Sequence, residues 1–224
     1  KQKPFRAKPV YVEGVWGGQF LKRLRGIPKG LVDKVAWSFE LIHTEASLLI
    51  DVGSVLIDVP FLTIMDASGE SIIGSKAYKR FDGYLPIRFN YDDTWHSNGN
   101  MSIQCHPNDQ MCQDLYGDFA GQNEAYYVVQ TGHDAKTFCG FKGDPQEFLE
   151  LSRRSETSAE LVPYEDYVHA IPSHVGRQIL LPTGTIHGSG RNQVVLELGT
   201  LTISAYTYKI YDYTRLDITG KPRP

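Results

Sequence analysis

Cysteine is scarce in this 224-residue chain, which carries only Cys105, Cys112 and Cys139. Their spacings match neither a disulfide framework nor a zinc ribbon. No apolar run approaches the roughly 18–20 residues of a membrane span, and nothing at the start, which is Lys1 rather than Met, reads as a signal peptide. A reducing cytoplasm is the setting expected. Excess charge of one sign is also lacking: 23 Lys and Arg stand against 26 Asp and Glu, a net −3. No basic stripe with interleaved aromatics marks a nucleic-acid track, so neither nucleic acid nor membrane is an expected partner. The one local basic cluster, Lys22, Arg23 and Arg25 among Leu21 and Leu24, reads as the solvated face of a short helix. Internal repeats and low-complexity segments are absent, and nothing indicates an oligomeric state.

What is present favours strands and turns. The length suits one substantial domain with its own core, and 21 Gly and 12 Pro punctuate short apolar runs. Strand patterns run from Val35 to Ile64, with a hairpin turn at Gly53-Ser54 between residues 47–52 and 55–59. Residues 66–83 read as loop with a short helix. Leu85–Phe89 and Met101–Cys105 are short strands, and Asn108 or Asp109 caps a helix ending near Gly117. Ala125–Gln130 and Ala135–Phe141 read as strands paired across a turn at Gly132. Asp144, Pro145 and Glu147 form a helix start, with a second helical turn at Tyr164–Val168. Strands return at Gln178–Leu181, Gln193–Leu198 and Leu201–Tyr211. The expected class is a mainly antiparallel β-domain with a short helical insert at about 144–170.

Three segments carry candidate chemistry. Residues two apart on a strand share a face, so Gln104 and His106 project to one side. If that side is interior, an amide and an imidazole there need partners, and a metal ion is one; a hydrogen-bonded structural histidine is the other. The run Gly176 to His187 takes a strand into a Pro182-Thr183-Gly184 turn that aims His187 back toward a barrel mouth. Its spacing resembles the second signature of cupins, with Asn192 one place late; an ordinary turn with an exposed histidine is the alternative. Glu124 precedes the apolar run from Ala125. Two imidazoles, a carboxylate and an amide oxygen suit a borderline divalent ion such as zinc.

Several motifs in the same order resemble class I mannose-6-phosphate isomerases, of the cupin superfamily. They are Val15-Trp16-Gly17-Gly18, the strand Val35 to Glu40, the run Met101 to Asp109, the segment Pro182 to Glu197, and Thr207 to Arg215. The resemblance implies a cupin-type antiparallel β-barrel, or jelly roll, over residues 1–224. It implies zinc ligands at Gln104, His106, Glu124 and His187, and a phosphate-associated serine at Ser102. Trp16 is expected against the substrate, with buried packing as its other role. Lys209, Gln122 and Arg215 are the expected catalytic or charge-stabilising positions. The implied reaction interconverts mannose 6-phosphate and fructose 6-phosphate, moving a proton between C1 and C2 through an enediol-like intermediate.

Two departures bear on the substrate. Gln122 stands where the family usually has Lys, and Lys209 where it has Arg, which keeps the charge but loses the planar fork. The chain also stops at Pro224, where family members continue into further β-structure, so a C-terminal part is expected to be missing. The alternatives are a related isomerase or epimerase acting on another, unphosphorylated sugar, and a non-catalytic sugar-binding cupin. The five other histidines, His43, His96, His133, His169 and His174, are expected at the surface or in structural roles. Cys105 is expected to point away from the metal.

Overall fold

Short alternating runs dominate the sequence, and the computed structural model turns them into antiparallel sheets; it describes residues 4–200, 206–216, 219–221 and 223. The chain opens with β1 (Arg6–Lys8), β2 (Val10–Val12) and α1 (Phe20–Leu24). β3 (Trp37–Leu41), β4 (Ser47–Asp51) and β5 (Leu56–Pro60) lead into α2 (Phe61–Ile73) and α3 (Ser75–Arg80). The middle holds β6 (Ile87–Asp93), β7 (Ile103–Cys105), α4 (Asp109–Tyr116), β8 (Glu124–Thr131) and β9 (Lys136–Phe141). Then come α5 (Pro145–Ser158), α6 (Tyr164–Tyr167), β10 (Val168–Pro172) and β11 (Gln178–Leu181). β12 (His187–Ser189), β13 (Gln193–Thr200) and β14 (Tyr208–Tyr211) complete the order.

Two sheets form the body of the fold. One has the order β11-β8-β13-β6-β3-β2 and the other β10-β9-β12-β7-β14. They face each other: Tyr126, Val128, Leu181 and Val195 of the first sheet bury a cluster against Cys139 of the second. The mainly β, antiparallel expectation therefore holds. Strand pairing does not close into one ring, so the arrangement is two facing sheets of the jelly-roll kind. On the outer side of the five-stranded sheet, Ile103, Phe138 and Tyr211 bury Phe148 of α5. No helix among the described residues is long and apolar enough to cross a membrane.

Local signals translate directly. Asp144 caps α5, its side chain accepting from the amides of Gln146 and Glu147 with Pro145 in the first turn. Asn108 caps α4 and Gly117 ends it in the left-handed conformation. The hairpin around Gly53 pairs β4 with β5, and β1 adds to β4 in a separate three-stranded sheet.

Four readings are corrected. β8 and β9 do not pair, because both edges of β8 are already taken by β11 and β13; β9 crosses to pair with β10 and β12. Residues 66–83 are helical over most of their length, so the insert at α5 and α6 is not the sole helical one. Phe61 and Met65, four positions apart, pack with Leu48 and Leu85, and Gly69 one turn further on lies against Tyr78, a helical stripe that Ser68, Gly69 and Ser71 disguise as loop. The last strand begins only at Tyr208, and residues 201–205 of the expected run lie outside the described residues. Finally, Arg25 is not solvated. It pairs with Glu40 at 2.6 Å and lies over the rings of Tyr11 and Tyr91, leaving Arg23 as the exposed member of the cluster.

Candidate functional site

The two motifs that carry the histidines are tied together by backbone hydrogen bonds. Pro182 to Thr185 form a turn closed by the Thr185 amide on the Pro182 carbonyl, at 3.0 Å. Gly184 takes φ +79° in it, which a side chain would strain. The Gly184 amide then donates to the carbonyl of His106 at 2.8 Å. The Thr183 amide donates to the side chain of Asn123, beside Glu124, at 3.1 Å. One turn thus sets the relative heights of three expected ligands.

Sheet register does the rest. His187 on β12 and Lys209 on β14 flank Gln104 of β7 on its two sides. Glu124 opens β8 on the facing sheet. His106, Glu124 and His187 are all buried, and one ligand atom from each lies within 4.8 Å of the others. The Glu124 carboxylate sits 3.1 Å from Nε2 of His106 through one oxygen and 3.1 Å from Nε2 of His187 through the other. Neither approach has hydrogen-bond geometry, so both Nε2 atoms and Oε2 of Glu124 are buried without a partner.

Those orphaned atoms fit a cation. The Nδ1 of His106 faces the Tyr206 carbonyl at 2.8 Å, and that of His187 faces the Thr185 carbonyl at 2.9 Å. Each Nδ1–H is donated there, which leaves each Nε2 lone pair aimed at the shared point, as outer partners of a metal-binding histidine do. The charges agree. Burial alone would raise the Glu124 pKa, but the two imidazoles outweigh it and hold the carboxyl below its ordinary range. Burial likewise opposes charging of His106, and the neighbouring Glu124 carboxylate outweighs it, so that pKa is raised. The protein places a deprotonated carboxylate between two imidazoles, an arrangement a divalent ion satisfies.

A cavity of about 330 Å³ opens onto this cluster. Of the expected site residues, Gln104, His106, Glu124, Ser102, Trp16, Gln122 and Lys209 line it. His187 lies behind, against Tyr126 edge-on. Trp16 is nearly fully buried and packs edge-on against Trp37, so its packing and wall roles coincide. Gln122 donates to Glu124 and accepts from Arg88, which makes it a partner of a ligand. Arg215 is the exception. It lies away from this cavity, its guanidinium bound to Asp212 and to the Asn100 carbonyl. The five other histidines lie outside the site: four are exposed, while His43 is buried against Phe61 and Tyr84. Cys105 does not line the cavity.

Three charged lining residues escaped sequence reasoning: Arg88, Glu197 and Arg223. Arg88, Asn90 and Asp92 alternate along β6 and share its inner face, a signal hidden when that strand is ended at Phe89. Gly199 lies opposite Arg88 on β13, where an added Cβ would meet the Asn123 carbonyl oxygen at 3.2 Å. Arg88 approaches Glu197 to 3.8 Å. Burial and the nearby Glu124 push the Glu197 carboxyl up to about 7 against the pull of Arg88. Burial, with Glu197 beside it, also raises Asp92.

Comparison with known proteins agrees with this geometry. No family model matches the chain. It is 25% identical to the mannose-6-phosphate isomerase ManA of Bacillus subtilis over 220 residues, covering 98% of this chain and 64% of that protein. It is 28% identical to the mannose-6-phosphate isomerase of Streptococcus mutans over 130 residues, 57% of this chain and 37% of that one. The chain therefore spans about two thirds or less of the length of these relatives. Its fold matches the crystal structure of the Bacillus subtilis mannose 6-phosphate isomerase with a TM-score of 0.73 at 22% identity, over 100% of this chain and 66% of that one. A variant of phosphomannose isomerase from Salmonella typhimurium matches with a TM-score of 0.68 at 14% identity, over 92% and 70%. The similarity to mannose-6-phosphate isomerases thus holds both in sequence and in fold.

Proposed function

We propose that this chain is a metal-dependent aldose–ketose isomerase that interconverts mannose 6-phosphate and fructose 6-phosphate, with zinc as its ion, in the cytoplasm. The observation that carries the reading is the convergence of three buried, partnerless donor atoms of His106, Glu124 and His187 beside a cavity that His106 and Glu124 line. The likeness to mannose-6-phosphate isomerases supports the same reaction. Gln104 is the fourth ligand in this proposal, since it lines the same cavity two residues before His106. Two imidazoles, one carboxylate and one amide oxygen suit zinc. The ion, when bound, supplies Lewis acidity toward the sugar oxygens at C1 and C2.

The chain's own residues have distinct tasks in this reading. Gln122 orients Glu124 by hydrogen bonding to it. Lys209 places a cation beside Gln104. A base must carry the proton between C1 and C2, and Glu197 is the lining carboxyl not assigned to the metal. Arg88 steadies that carboxylate. Trp16 and Trp37 close the apolar wall and limit water. A coupled assay for fructose 6-phosphate formed from mannose 6-phosphate tests the proposal. Turnover abolished by a chelator and restored by zinc supports it; a folded, zinc-loaded protein that forms none refutes it.

A further inference from the structure

Between α2 and the turn that follows α3 lies a second cavity, of about 240 Å³. None of its lining residues lines the cavity beside His106 and Glu124. Its charged wall is of one sign: Asp66 of α2 and Asp82 line it, and no Lys, Arg or His does. The rings of Tyr78 and Tyr84 and the thioether of Met65 supply most of the rest.

The backbone is shaped to hold this arrangement. Gly69 of α2 approaches Tyr78 of α3 so closely that a Cβ there would sit 2.9 Å from the ring. After α3, Asp82 and Gly83 take left-handed conformations, at φ +48° and +80°; Asp is one of the few side chains that tolerate this. The turn is closed by the Gly83 amide on the Tyr78 carbonyl and the Tyr84 amide on the Phe81 carbonyl, each at 2.9 Å. One short turn thus delivers Asp82 and Tyr84 to the cavity that Tyr78 lines.

The two carboxylates have no cation of their own. Among the described residues neither Asp66 nor Asp82 forms an ion pair with a Lys or Arg. Arg80 of α3 lies over the ring of Phe81 instead, at 5.4 Å. His43 stands against Tyr84, the ring centroids 5.2 Å apart, and both its nitrogens are buried without a hydrogen-bond partner. Burial lowers its pKa against the pull of Asp66, so at neutral pH the ring is uncharged and cancels neither carboxylate.

We propose that this cavity, walled by Asp66, Asp82, Tyr78 and Tyr84, is a binding site for a small organic ammonium ion. The carboxylates supply the countercharge, and aromatic rings attract a cation that sheds its water, as a methylated ammonium readily does. The volume falls below the roughly 300–1,000 Å³ of sites for drug-sized ligands, which suits a compact cation. The site uses no residue of the metal cluster or its cavity, so it stands apart from the isomerase reading.

Tetramethylammonium is the probe, because it has no lone pair and cannot ligate zinc. It is titrated into the zinc-loaded protein at constant ionic strength, with amide NMR shifts as the readout. Saturable shifts are expected at Asp66 and from Asp82 to Tyr84, with Gln104 and His187 unmoved. Uncharged tert-butanol, of similar size and shape, is expected to bind more weakly by about threefold or more. Asp66→Asn and Asp82→Asn remove the charges at exposed positions, and Asn tolerates the left-handed backbone at 82. Each is expected to weaken the probe about threefold and the pair about tenfold, the scale of partly exposed ion pairs. Thermal melting and zinc content check the fold of the variants, and the tert-butanol comparison decides the matter on the wild type alone. No saturable shift in the wild type, shifts confined to other parts of the chain, equal affinity for tert-butanol, or a folded double variant that binds as tightly overturns the inference.

Discussion

The amide of Gly184 donates to the carbonyl of His106 across 2.8 Å, so the turn before His187 is fastened to the strand end that carries the other imidazole. That bond depends on a left-handed glycine at φ +79°. Gly184→Ala forces a Cβ into that conformation, at a cost of about 1–2 kcal/mol. We expect a denaturant midpoint shifted down accordingly, and weaker zinc binding by competition with a chromophoric chelator. An unchanged zinc affinity would show that the turn does not set the ligand geometry.

Removing a ligand acts on the metal more than on the fold. Glu124→Gln takes the charge from the centre while keeping the side chain's size and its contact with Gln122. Loss of an outer partner of a ligand typically costs 10–100-fold in metal affinity, and loss of Glu124 itself is expected to cost at least about that. Zinc content after dialysis reads the effect directly. A fully loaded Glu124→Gln protein would remove Glu124 from the ligand set.

The metal-free protein has a pH signature whose sign follows from the shifts. The Glu124 carboxyl is depressed below 4.5, so its contribution to stability is present above pH 4.5 and is lost as pH falls below it. The His106 pKa is raised above 6.5, so its contribution is complete below pH 6.5 and is lost as pH rises through the folded value. Stability of the metal-free form is expected to peak between these limits. Zinc competes with the protons, so the zinc-induced rise in Tm grows as pH increases above 6.5. Melting curves from pH 4 to 9, with and without zinc, check this; a zinc effect independent of pH would contradict it.

Arg88→Met leaves two buried carboxyls, Glu197 and Asp92, without their nearby cation. Breaking a buried pair from one side commonly costs about 3–5 kcal/mol, and protonation of Glu197 relieves part of it. The Glu197 carboxyl already stands at about 7 with Arg88 present. We therefore expect the variant to be destabilised more at pH 8 than at pH 5.5, in urea denaturation at both. Equal losses at the two pH values would mean that Arg88 contributes packing only.

What the sequence made legible was local. The α5 cap at Asp144, the turn at Gly184 and the shared face of Gln104 and His106 each depend on residues within a few positions of one another. Their chemistry fixes the backbone without help from elsewhere. The departure of β9 from β8 was not legible, because it depends on β11 and β13 having taken both edges of β8. Arg88 and Glu197 escaped for the same reason: their nearness is set by the register of β6 against β13. Arg223, for which the sequence offered no expectation, lines the cavity, and Arg215, which was expected there, does not. Which guanidinium reaches the cavity depends on how both share Asp212, a contact that spacing along the chain does not encode.

The central claim is that His106, Glu124 and His187 hold a metal on which isomerisation depends. The most direct measurement is the initial rate of fructose 6-phosphate formation from mannose 6-phosphate as zinc is titrated into the metal-free protein. The account predicts a rate that rises in proportion to zinc and breaks at one equivalent per chain, with no rate in Glu124→Gln at the same zinc. A rate independent of zinc, or none from a protein carrying its full equivalent, would contradict it.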